Sequence, residues 1–90
     1  MTEIQKTVLI TNKRGLHARA SAKFVTLASA QKASIEVAKD GSRVAGTSIM
    51  GLMMLGAAKG DSVTISASGE EAEQALGILV ELVEAKFGEE

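Results

Sequence analysis

His17 is the only histidine in the chain, and it stands two residues after Gly15 and two before Arg19. It sits at a seam. An alternating run from Thr7 to Thr11 and a short loop end there, and a helical pattern begins near Ala18. The imidazole is therefore expected at a helix N-terminus, where backbone N–H groups such as that of Ala18 have no partner within the helix and the peptide dipoles sum to roughly half a positive charge. Such a place suits a phosphate or a carboxylate. A neutral imidazole nitrogen is a nucleophile, and an unperturbed histidine, with a pKa of about 6.5, is largely neutral at physiological pH. Arg19 can bring charged donors to the same point. Nucleophile, free amides and arginine together suggest a phosphoryl group carried covalently on the ring. A surface or capping role for His17 is the plainer alternative.

The segment Gly15-Leu16-His17-Ala18-Arg19, followed by small residues and Lys23-Phe24-Val25, resembles the active-site signature of the HPr family, the histidine-containing phosphocarriers of the bacterial phosphoenolpyruvate-dependent phosphotransferase system. A second block, Thr47 to Leu55, resembles that family's regulatory serine segment. The separation of the two blocks, the Lys59-Gly60-Asp61 turn, the strand after it and the final helix also fit, so the resemblance spans nearly the whole chain. One position departs from the family: Ala20 stands where proline usually follows the arginine. Alanine keeps helical backbone angles available but does not stiffen the turn as proline would.

The resemblance implies that His17 accepts a phosphoryl group on Nδ1 from enzyme I and passes it to an enzyme IIA-type acceptor of the sugar or nitrogen-regulatory branch. It also implies that Arg19 and the Ala18 amide stabilise the phosphoryl oxygens. Ser48 matches the serine that a dedicated HPr kinase/phosphorylase modifies in some bacteria. On its own, a serine at that point reads as a helix N-cap.

Composition narrows the alternatives. Ninety residues suit one small domain, taken as 1–90. With no cysteine and one histidine, neither disulfides nor a metal centre is expected. Ten basic against eleven acidic residues give no basic field for nucleic acid, and two phenylalanines make no base-stacking surface. No apolar run is long enough for membrane insertion or a signal peptide. Composition points to a cytoplasmic protein, and the resemblance implies a monomeric carrier that needs no cofactor and is not itself expected to be an enzyme.

The elements that must hold His17 follow from periodicity. Gln5 to Thr11 alternates as a strand, with Val8 and Ile10 on one face. Asn12-Lys13-Arg14-Gly15 is a polar loop. Ala18 to about Ala30 carries two apolar stripes, Ala20, Phe24, Leu27 and Ala28, and Ala18, Ala22 and Val25. Ile35 to Val37 and Arg43 to Ala45 form a hairpin on an Asp40-Gly41 turn. A short helix opens at Gly46-Thr47-Ser48 and ends near Leu55-Gly56. Val63 to Ser68 is a fourth strand, and Ala72 to Phe87 is a helix, with Ser68 and Glu71 as its capping pair. The order βαββαβα gives an α+β open-faced sandwich, a four-stranded antiparallel sheet covered on one face by three helices.

The short middle helix is apolar nearly all round. Leu52 and Leu55 are expected to be buried, which leaves Ile49, Met50 and Met53 either as an exposed docking patch or, with different boundaries, as core. The resemblance favours docking, with Ala22 of the first helix contributing. The same topology also suits ferredoxin-like regulatory domains that bind small molecules, a reading that would leave His17 incidental.

Overall fold

The computed structural model describes residues 3–89. The element order is β1 (Glu3–Leu9), α1 (Ala18–Ser29), β2 (Ser34–Lys39), β3 (Ser42–Ala45), α2 (Ile49–Met54), β4 (Ser62–Ser68) and α3 (Ala72–Glu84), followed by a 3-10 turn over Lys86–Gly88. The strands form one antiparallel sheet in the order β1-β4-β2-β3. The expected α+β sandwich is the fold.

Alternation decides which face is covered. Val8, Ile35, Val37, Val63, Ile65 and Ala67 are buried and join Ala20, Phe24 and Ala28 of α1, Leu52 of α2, and Ala75, Leu79, Val80 and Val83 of α3 in one apolar core. The opposite face is polar. Arg43 on β3 pairs there with Glu36 on β2 and with Glu3 on β1, and the Thr7 and Thr64 hydroxyls meet at 2.9 Å. Ser66 is buried although it belongs to this open face. It lies in a central strand, flanked in register by Gln5 and Glu36.

Local chemistry shapes the connections. Asp40 and Gly41 both take positive φ, 50° and 86°, as a two-residue hairpin turn requires. Gly15 has φ of 62°, and a Cβ there would lie 2.3 Å from the Ala57 carbonyl oxygen, so only glycine fits. Its neighbour Leu16 donates to that same carbonyl at 2.9 Å, which ties the loop before His17 to the chain leaving α2. Ala20 is fully buried in the first turn of α1, and the helix forms without a proline.

Two expectations at the third helix are corrected. Ser68 is the last residue of β4 rather than a cap, and α3 starts after Glu71, which is in the left-handed region at φ of 59° and makes no side-chain capping bond. Nor does the helix reach Phe87. It ends at Glu84, and Lys86, Phe87 and Gly88 follow with φ of 58°, 56° and 75°. For a residue with a Cβ, that region costs about 1–2 kcal/mol. Burying the Phe87 side chain completely offsets this by roughly 1.5–3 kcal/mol, and its carbonyl accepts from Lys23 Nζ of α1 at 2.7 Å. The chain end therefore doubles back toward the start of α1.

Candidate functional site

His17 is the N-cap of α1, with extended backbone angles (φ −74°, ψ −179°). Its ring does the capping. Nδ1 accepts from the Arg19 backbone N–H at 3.3 Å, at the point where an N-cap side chain normally satisfies a free helical amide. Ala18 is the first helical residue, so its amide is also among the unpaired donors at this end. The expected helix-start placement of the imidazole holds.

The other ring nitrogen meets the chain end. Nε2 lies 2.5 Å from Glu89 Oε2, and Glu89 Oε1 accepts from Asn12 Nδ2 at 3.1 Å. Asn12, in the loop after β1, is itself buried and gives its second amide hydrogen to the Gly15 carbonyl at 2.9 Å. Glu89 is held below its ordinary carboxyl value of 4.5, first by the hydrogen bond from Asn12 and then by that from His17, with electrostatic interactions with His17 and Lys23 adding to the effect against partial desolvation. An ionised Glu89 can only accept. Nε2 therefore carries the proton, and Nδ1 keeps its lone pair toward the helix start.

A pocket of about 210 Å³ opens beside the ring, lined by Lys13, Arg14, His17, Arg19 and Glu89. Its cations come from the loop and from the first turn of α1. Arg19 is exposed and lines this pocket as expected. Lys13 and Arg14, read from sequence only as parts of a polar loop, also line it. Histidine ring, helix-start amides and guanidinium together can receive a small tetrahedral anion and bond it covalently.

Ser48 is the N-cap of α2, its hydroxyl accepting from the Gly51 N–H at 2.9 Å. Leu52 and Leu55 are buried, whereas Ile49, Met50 and Met53 are 42%, 68% and 41% exposed, so the core alternative for these three falls. Met54, at 78%, widens the apolar surface beyond the residues singled out from sequence. Ala22 is half-buried and lines a separate groove of about 400 Å³ with Arg19, Lys23, Thr26, Leu27 and Leu82. No group of three or more potential metal ligands occurs among the described residues, and no helix is long and apolar enough to cross a membrane.

The family model described as "PTS HPr component phosphorylation site" matches residues 4–85. The chain belongs to the HPr family. Phosphocarrier protein HPr of Neisseria meningitidis serogroup A is 46% identical over 86 residues, covering 96% of this chain and 97% of its own length. Phosphocarrier protein NPr of Shewanella violacea is 39% identical over 89 residues, covering 99% and 98%. Among solved structures, HPr-C-His from Thermoanaerobacter tengcongensis superposes with a TM-score of 0.90 at 49% identity, covering all of this chain and 99% of its own. The HPr family match ends at residue 85, before Phe87 and Glu89. These relatives carry a phosphocarrier role in the phosphotransferase system, and they leave the small-molecule regulatory reading without an observation in its favour.

Proposed function

We propose that His17 is the phosphoryl-carrying residue, loaded by enzyme I and unloaded by an enzyme IIA-type acceptor. The observation that supports this best is the position of Nδ1, which accepts from the Arg19 backbone N–H at the start of α1 beside a pocket lined by Lys13, Arg14 and Arg19. In the forward step the Nδ1 lone pair forms a bond to phosphorus as the phosphorus–nitrogen bond of the donor's phosphohistidine breaks, and that electron pair returns to the donor's ring. The carrier supplies position and anion stabilisation and needs no cofactor of its own. Arg19 and the Ala18 amide hold the phosphoryl oxygens. Ala22, Ile49, Met50 and Met53 form the docking surface, and the carrier works as a cytoplasmic monomer. Ser48 is a regulatory site for an HPr kinase/phosphorylase. Phosphate there suits the α2 start while placing roughly two negative charges at the edge of the apolar surface.

The test is incubation with enzyme I and phosphoenolpyruvate. The native chain should gain one acid-labile phosphoryl group, and His17→Ala should fold normally and gain none. An acid-labile phosphoryl group persisting on His17→Ala would refute the assignment.

A further inference from the structure

The carboxylate on Nε2 comes from the far end of the chain, and several features of the fold converge on holding it there. Phe87 is fully buried in a left-handed turn that a side chain does not adopt without compensation, and the Phe87 carbonyl is bound by Lys23. Asn12 is 1% exposed and spends both amide hydrogens, on Gly15 and on Glu89, while its Oδ1 is buried with no partner. A buried, unsatisfied oxygen costs about 1–3 kcal/mol, which an apolar residue in that place would avoid. An asparagine kept there at that expense has work for its amide, and the only work shown besides the loop contact to Gly15 is aiming Glu89.

We infer that Glu89 is a positioning residue for phosphotransfer, held by Asn12 and anchored by Phe87, which together with the Arg19 amide on Nδ1 sets the His17 tautomer and which stabilises the ring charge that develops as Nδ1 takes up phosphorus. This rests on His17 being the phosphoryl acceptor and adds a role for residues 86–89. The geometry states the mechanism. With Nε2–H bonded to the carboxylate, the Nδ1 lone pair is the one available for attack. As the Nδ1–phosphorus bond forms, the ring becomes an imidazolium whose Nε2 proton faces Glu89. When the phosphoryl group leaves, the bonding pair returns to Nδ1 and the proton stays on Nε2. A carboxylate behind a reacting imidazole acts in the same way in hydrolytic triads, where it orients the ring and stabilises the imidazolium without itself taking the proton.

The experiment uses the full chain with 15N-labelled histidine and compares the native protein with Glu89→Ala and Glu89→Gln. Ring nitrogen shifts of the neutral, unphosphorylated protein report the tautomer. Uptake from enzyme I and phosphoenolpyruvate reports the rate, and thermal unfolding shows whether the fold is kept. The native ring should be in the Nε2–H form. Glu89→Ala leaves the Arg19 N–H on Nδ1, so the tautomer should be largely kept while uptake slows by about tenfold or more. Glu89→Gln keeps an acceptor but loses the charge, so it should hold the tautomer while uptake still slows. A native ring in the Nδ1–H form, or a Glu89→Ala protein that takes up phosphoryl groups at the native rate, would overturn the inference. If the native chain took up no phosphoryl group, the carrier reading would fail, and with it the catalytic part of this role. The native spectrum would still decide whether Nε2 carries the proton that faces Glu89.

Discussion

The two nitrogens of His17 have different partners, and that difference organises the site. Nδ1 looks to the α1 start, and Nε2 looks to Glu89. Arg19 enters the site twice, through a backbone N–H on Nδ1 and through a side chain at the pocket. If its guanidinium holds phosphoryl oxygens in transit, Arg19→Ala should slow transfer from enzyme I by about tenfold or more, since such clamps act mainly on the transition state. Stability should move by no more than about 0.5 kcal/mol, because the side chain is exposed. Stopped-flow transfer and thermal unfolding check both, and unchanged kinetics would mark the arginine as an ordinary surface charge. The contiguous part of this site was legible in the sequence because a helix start brings residues 17 to 19 together by local geometry alone. Asn12 and Glu89 were not, because Glu89 lies 77 and 72 residues from its partners Asn12 and His17, and no local pattern announces such a contact.

Among the elements, α2 makes the sharpest claim. It buries Leu52, with Leu55 closing its end, and turns Ile49, Met50, Met53 and Met54 outward from a core that does not need them. Met50→Glu should therefore leave the melting temperature close to native and weaken binding to enzyme I. At a buried position, an unpaired carboxylate would cost several kcal/mol and approach the whole stability of a small domain. Ser48→Asp should act in the same direction, and its effect should shrink as salt rises. Titration calorimetry against enzyme I at two ionic strengths, with melting curves, separates these outcomes. Met50→Glu with native affinity, or with no fold, would contradict the docking surface. Alternation and the Asp40-Gly41 turn made the strands and the hairpin readable, as did Ser48 for α2. The ends of α3 misled. Ser68 and Glu71 have the spacing of a capping pair, but Ser68 pairs with Glu3 and Ser34 in the sheet. Phe87 keeps the helical interval, yet it is buried by a left-handed turn that propensity does not foresee.

Across the whole molecule, the fold brings residues 87–89 back to the loop and helix start at residues 12–23, and acid should loosen that join. Folding holds the Glu89 carboxyl below 4.5 through Asn12, then His17, with Lys23 adding to it. Lys13, Arg14 and Arg19 line the same pocket. Its contribution to stability is therefore present above pH 4.5 and is lost as pH falls through the lower folded value. The melting-temperature difference between the native chain and Glu89→Gln should be clear just above that pH and should close below it. A difference that persisted or grew in stronger acid would contradict the coupling. The central claim, that His17 carries phosphorus on Nδ1, is tested most directly by phosphorylating the 15N-histidine-labelled chain with enzyme I and phosphoenolpyruvate and reading nitrogen–phosphorus coupling by NMR. The account predicts one phosphorus signal coupled to Nδ1 of His17. Coupling to Nε2, or phosphorus with no histidine coupling at all, would contradict it.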